Sequence, residues 1–170
     1  LEGDVIGLFV DQIWRKTTAN DTVERIKSAG GISILPHPYV SHKLSEIDCS
    51  RFDLIEVFNS RCNEMQNNYA MELCLEYGMA PIAAADAHLP ADLSSATNLL
   101  ELPDNFEKMT ETYAKDLILD GSRILIRQSS PKMSIYKSQI IKGLKTRSAK
   151  VVARNIKSGI KQLGMEWVGK

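Results

Sequence analysis

Residues 30–38 read GGISILPHP, residues 53–61 read DLIEVFNSR and residues 81–88 read PIAAADAH. In each stretch a short apolar run hands over to polar residues able to do chemistry. The runs 32–35, 54–58 and 81–85 are too short for helices and are rich in β-branched residues or bounded by Gly and Pro, so they predict buried strands. Pro36 and Pro38 end the first by removing amide donors and fixing φ. The three exits are then Pro36-His37-Pro38, Asn59-Ser60-Arg61 and Asp86-Ala87-His88.

Working outward, residues 5–10 (VIGLFV) predict another strand, followed by a polar loop over 11–20. Asn20 or Asp21 is expected to cap a helix carrying Val23, Ile26 and Ala29 at helical spacing, which Gly30-Gly31 ends. A second helix is expected over 63–77, closed by Gly78. A fifth strand is expected over 99–102, then a helix from the cap Asp104 through Leu119 with Gly121 behind it, and a last strand over 123–126. Alternation of strand and helix implies βαβ units with parallel strands, hence an α/β fold, either barrel or open sheet.

In such folds the loops at the C-terminal ends of the strands share one face. His37, Asn59, Arg61, Asp86 and His88 should therefore meet at one rim. Histidine with carboxylate is the ligand set of zinc, manganese or iron. Asp86-x-His88 fits that chemistry because residues i and i+2 can face one cavity while Ala87 stays out of the way. Taken singly, each has a plainer reading: His37 a turn residue, Asn59 a hydrogen-bonding turn, Arg61 a salt bridge to an acidic surface. His42, in a polar loop, reads as a surface residue.

At 170 residues, with 44% hydrophobic and 25% charged residues, the chain has enough material for an ordinary globular core, and no apolar run approaches the ~20 residues of a membrane span. Disordered, collagen-like and transmembrane classes are excluded. Cys49, Cys62 and Cys74 are odd in number and form no CxxC pair, which argues against a disulfide framework and a thiolate zinc site and for buried or half-buried thiols in a reducing cytoplasm. Opening on Leu1 with no charged-then-apolar leader, the chain reads as cut at its front.

The zero net charge hides a division. Residues 1–120 hold 9 Lys and Arg against 20 Asp and Glu, whereas residues 121–170 hold 12 against Glu166 alone. Over 135–163, Ile141, Leu144, Val152, Ile156, Ile160 and Leu163 recur near helical spacing with Lys and Arg between them. This predicts one basic amphipathic helix, weakened by Gly143 and Gly159. Three partners are open to it: the acidic part of its own fold, nucleic-acid phosphates, or an anionic membrane surface. Few aromatic residues interleave the cations, which counts against a base-stacking platform.

The succession GGISILPHP, DLIEVFNSR, a helix with Asn68 and Ala70, Gly78 and PIAAADAH resembles the C-terminal half of the PHP (polymerase and histidinol phosphatase) superfamily, over about residues 3–127. The resemblance implies the C-terminal portion of a distorted (βα)7 barrel over 1–128, with a basic helical extension over 129–170. It further implies a metal-dependent phosphoesterase, acting on phosphomonoesters or phosphodiesters through a trinuclear centre of zinc, manganese or iron. His37, Asp86 and His88 match metal-ligand positions, and Asp4 stands where a further ligand is often found. Ala85 replaces the Ser that usually precedes the Asp. Arg61 is the expected phosphate fork and Asn59 the group that orients ligand or substrate. The family's opening half, with its His-x-His and bridging Glu, is absent, so a preceding segment or another chain would have to complete the centre. The alternative is a catalytically inactive PHP-like module that binds nucleic acid or protein. A phosphorylated small molecule or a nucleic acid is the expected partner.

Overall fold

The computed structural model describes residues 2–102, 104 and 106–168, with side chains through residue 164. Among the described residues, six strands and five α-helices follow one another as β1 (Ile6–Leu8), α1 (Ala19–Ser28), β2 (Ile32–Leu35), β3 (Leu54–Asn59), α2 (Glu64–Tyr77), β4 (Ala80–Ala84), β5 (Ala96–Leu100), α3 (Glu111–Asp120), β6 (Arg123–Arg127), α4 (Lys132–Lys145) and α5 (Ala149–Val168). The expected barrel is not there. One sheet has the order β1-β2-β3-β4, with β1 antiparallel to β2 and only β2, β3 and β4 parallel, while β5 and β6 form a separate antiparallel pair. The fold is a mixed, open α/β arrangement.

The reason lies in the connections. A βα loop is usually two to six residues, so the helix makes the return journey and the next strand runs parallel. That holds for β3–α2–β4, joined by residues 60–63 and 78–79. Between β1 and α1, and again between β5 and α3, ten residues intervene (9–18 and 101–110). The loop then makes the return, and the helix delivers its strand antiparallel. Strand-helix alternation alone does not distinguish the two cases.

Element ends follow side-chain chemistry. Thr18, rather than Asn20 or Asp21, caps α1 by accepting the Asp21 amide at 3.1 Å. Asn63 and Gln66 form a reciprocal capping box on α2, and Gly78 closes it at φ 62°, a left-handed conformation that costs a side-chain-bearing residue more. Thr110 caps α3, six residues after the expected cap Asp104; Asn105 of that expectation lies outside the described residues.

The four-stranded sheet is covered on both faces. Leu35, Ile55 and Val57 pack with Val23 of α1, Phe52 of the β2–β3 connection and Leu73 of α2. Ile32, Ile34, Leu54 and Ile82 face the other way, with Ile118 and Leu119 of α3 against them. Each fully buried aliphatic side chain contributes about 1.5–3 kcal/mol.

The tail is a helical hairpin, not one helix. Residues 146–148 break it, with Arg147 at φ 53°. Gly143 and Gly159, expected to be weak points, are contact points. A Cβ on Gly143 would lie 2.8 Å from Val152 Cγ2, and Gly159 faces Tyr136 and Met133. α4 and the residue pair before it dock on the body through hydroxyls at a four-residue interval. Ser130 Oγ meets Ser60 Oγ at 2.8 Å, Ser134 Oγ donates to Asp92, and Ser138 Oγ accepts from Arg61 Nη2 at 3.0 Å.

The small sheet is joined to the large one by a side chain. Asn98 of β5 donates through Nδ2 to Ala83 O at 2.8 Å, and its Oδ1 accepts Ala83 N–H at 2.9 Å. The amide stands in for a peptide group and extends the ladder beyond β4. Asn98→Ala leaves both Ala83 groups short of a partner and is expected to cost about 1–3 kcal/mol, read as a lower urea midpoint at unchanged slope.

Candidate functional site

The exits of β2, β3 and β4 open into one cleft of about 430 Å³, lined by Asp4, His37, Asn59, Arg61, Asp86 and His88 from the body and by Ile135, Gln139 and Lys142 from α4. All six residues singled out in the sequence line it. Parallel pairing of the three strands puts their exits on one side.

The floor is organised by a residue that sequence reading passed over. Glu56 sits in the middle of β3, 4% exposed, and its Oε2 accepts the His37 amide at 2.9 Å and Asn59 Nδ2 at 3.1 Å. Burial, the largest cause, pushes its carboxyl above the usual carboxylate range despite these donors. Asn59 spends its other end on the Arg61 amide, at 2.9 Å to Oδ1, and is fully enclosed. It orients the β3 exit. The sequence signal was a charged residue inside the apolar run LIEVF.

Two site residues hold backbone conformations that side-chain-bearing residues rarely adopt, His37 at φ 28° and Asp86 at φ 47°. Such strain costs of order 1–3 kcal/mol per residue and concentrates at functional sites. The Glu56 bond to the His37 amide offsets it on one side. On the other, His88 Nδ1 contacts Asp86 O at 2.8 Å and Asp86 Oδ1 at 3.5 Å.

Arg61 lies beneath the rim with its side chain 9% exposed, Nε 3.8 Å from Asp86 Oδ2 and Nη1 3.8 Å from Asp92 Oδ2. Charge-assisted hydrogen bonds are about 2.7–2.9 Å, so both pairs are electrostatic contacts only. Nη1 has no hydrogen-bond partner, and neither does buried His37 Nδ1. Asp92, 1% exposed, accepts from Ser134, His88 N–H at 3.3 Å and Leu89 N–H at 3.1 Å. The Ser134 hydroxyl, above all, holds its carboxyl below the usual range.

His42 is no surface bystander. With Nδ1 donating to Val40 O at 2.7 Å, Nε2 accepts the Asp4 amide at 3.0 Å, and its ring meets His37 edge-on at 5.4 Å. It fastens Asp4 to the rim. Cys62 also lines the cleft, its thiol pushed up to about 11 by burial and therefore a poor nucleophile.

Among the described residues, no group of three or more His, Cys, Asp or Glu side chains is placed to hold one ion. The donor chemistry fits a divalent cation, and the buried, unpartnered His37 Nδ1 fits a ligand atom, but the number of ligands falls short. Among the described residues, no helix is long and apolar enough to cross a membrane.

A lowered carboxylate pKa contributes stability that is present above its unfolded value and is lost as pH falls through the folded one. Asp92 is such a group. Between pH 7 and pH 3 the native protein should therefore lose more unfolding free energy than Asp92→Asn, which starts lower at pH 7; urea titrations of both at the two pH values measure the difference.

No protein-family model matches the chain, and no solved structure matches it. It is similar to two uncharacterized proteins of Methanocaldococcus jannaschii. MJ0417 is 28% identical over 129 residues, covering 68% of this chain and 54% of its own length. MJ1587 is 35% identical over 78 residues, covering 41% and 44%. The chain thus spans about half the length of the relatives it matches.

Proposed function

We propose that the cleft is part of the active site of a PHP-type, metal-dependent phosphoesterase, built here on an open sheet. The observation that carries this reading is the pair of buried, unpartnered polar atoms, His37 Nδ1 and Arg61 Nη1, on a cleft that also holds Asp86. Buried donors and acceptors are normally satisfied, and two left open beside one cavity point to a ligand with both cationic and anionic parts.

His37, Asp86, His88 and Asp4 would hold a divalent cation such as zinc, manganese or iron, together with ligands from beyond the described residues. The ion would supply Lewis acidity toward a phosphoryl oxygen. The chain's own residues do the rest. Arg61 Nη1 donates to a phosphate oxygen while Nε keeps Asp86 in place. His88, whose Nδ1 turns to Asp86, would offer Nε2 to the ion as its ligand atom. Asn59 and Glu56 fix the loops bearing Arg61 and His37. Lys142 adds positive charge among the cleft's carboxylates and draws the anion in. The three free thiols support a reducing compartment, the cytoplasm, as the place of action.

A second reading, a non-enzymatic module that binds a phosphorylated partner, draws support from Arg61 itself, clamped by Asp86, Asp92 and Ser138. Hydrolysis of bis(p-nitrophenyl) phosphate with added Mn²⁺ or Zn²⁺ separates the two. Asp86→Ala and His37→Ala should each reduce turnover at least ~100-fold and lower the bound metal found by elemental analysis. Turnover indifferent to both changes rules out the hydrolase reading.

A further inference from the structure

α5 touches the rest of the molecule through one stripe. Val152, Asn155 and Gly159 turn inward, with Gly143 of α4 against Val152 and Tyr136 and Met133 against Gly159. These pairings make the hairpin antiparallel. On α4, Ser134 and Ser138 face the body and Ile135, Gln139 and Lys142 face the cleft, while Met133, Tyr136 and Gly143 lie on the far side, under α5. α5 is therefore an outer layer.

At 100° per residue the exposed positions of α5 sort into two rows. Lys150, Arg154, Lys157 and Lys161 recur at intervals of four, three and four, while Ile156, Ile160 and Leu163 form the other row. Combining helical phase with the antiparallel pairing puts the basic row on the outer crest of α5, turned away from α4 and leaning toward the side that bears Lys142 and the cleft. The aliphatic row falls on the opposite flank, beside Ile141 and Leu144 of α4. None of the four cations forms an ion pair among the described residues, and no Asp or Glu occurs between residues 121 and 165 to neutralise them.

We infer that this row is a track for the phosphodiester backbone of a nucleic-acid strand, which makes the substrate class of the cleft a polynucleotide rather than a small phosphomonoester. The substrate assignment rests on the phosphoesterase reading above; the track itself does not. The cations stand about 4.5–6 Å apart along roughly 16 Å of helix, so only a chain of phosphates engages them all. The four cations form a single row, turned outward and leaning to the cleft side.

Fluorescence anisotropy of the full chain with labelled 20-nucleotide RNA and DNA tests the track. Binding should weaken steeply with salt. In the fourfold variant K150Q/R154Q/K157Q/K161Q the slope of log affinity against log salt should be shallower by about 3, at ~0.7 per phosphate neutralised, and affinity at 50 mM salt should fall at least ~10-fold. Ile156→Gln with Ile160→Gln, on the opposite flank and equally exposed, should leave binding unchanged, and circular dichroism checks that both variants remain helical. No binding at 50 mM salt, equal binding by the fourfold variant, or capture by phosphatidylglycerol vesicles but not by oligonucleotide overturns the inference. Asp86→Ala separates this from the active-site reading, because it should abolish turnover and leave the salt slope intact. Normal binding by a protein without turnover keeps the track and removes the hydrolase.

Discussion

A carboxyl group in the middle of a buried strand has to be neutral or richly hydrogen-bonded, because desolvating it otherwise costs several kcal/mol. Glu56 is both shifted toward its neutral form and bonded on one oxygen by a backbone amide and a side-chain amide. The two donors belong to the exits of neighbouring strands. A single acceptor thus fixes the spacing between the loop of His37 and the loop of Asn59 and Arg61, and the mouth of the cleft takes its shape from that bond. Replacing Glu56 by an apolar residue would unburden the core and release both loops.

Arg61 extends the same logic outward. Its three nitrogens reach three different pieces of chain: Asp86 after β4, Asp92 in the following turn and Ser138 on α4. The guanidinium is therefore first a joint between body and hairpin, and only its unbonded Nη1 is left for a ligand. Site architecture and hairpin docking are one network, in which Asp92 and Asp86 face the same guanidinium.

How much of this was legible in the sequence varied with the range of the interaction. Apolar runs ending in Pro, Asn or Asp located β2, β3 and β4 and five of the six cleft residues, because local composition and strand direction suffice for that; Asp4 came from the family resemblance alone. Asn63 and Gly78 bounded α2 as expected, since capping acts over four residues. The direction of β1 and of β6 was not legible: it depends on whether a ten-residue loop or the helix makes the return, and both write the same alternation. The roles of Glu56, Asp92 and His42 were hidden for a related reason. Each takes its role from partners far along the chain, 19 positions away for Glu56 and His37, 38 for His42 and Asp4, and 42 for Asp92 and Ser134; only Glu56, a charge inside LIEVF, leaves a local signal. The break at Arg147 and the contact roles of Gly143 and Gly159 likewise depend on a second helix folding back.

The seam between the hairpin and the body is pinned by hydroxyl groups at four-residue intervals, Ser130 just before α4 and Ser134 and Ser138 on it, rather than by interlocked aliphatic chains. Water can replace such bonds one for one. Parting that seam would expose little oily surface, so the hairpin is mounted like a bolted bracket rather than a welded one: it can be lifted, exchanged or lengthened in a descendant without inviting the body to aggregate.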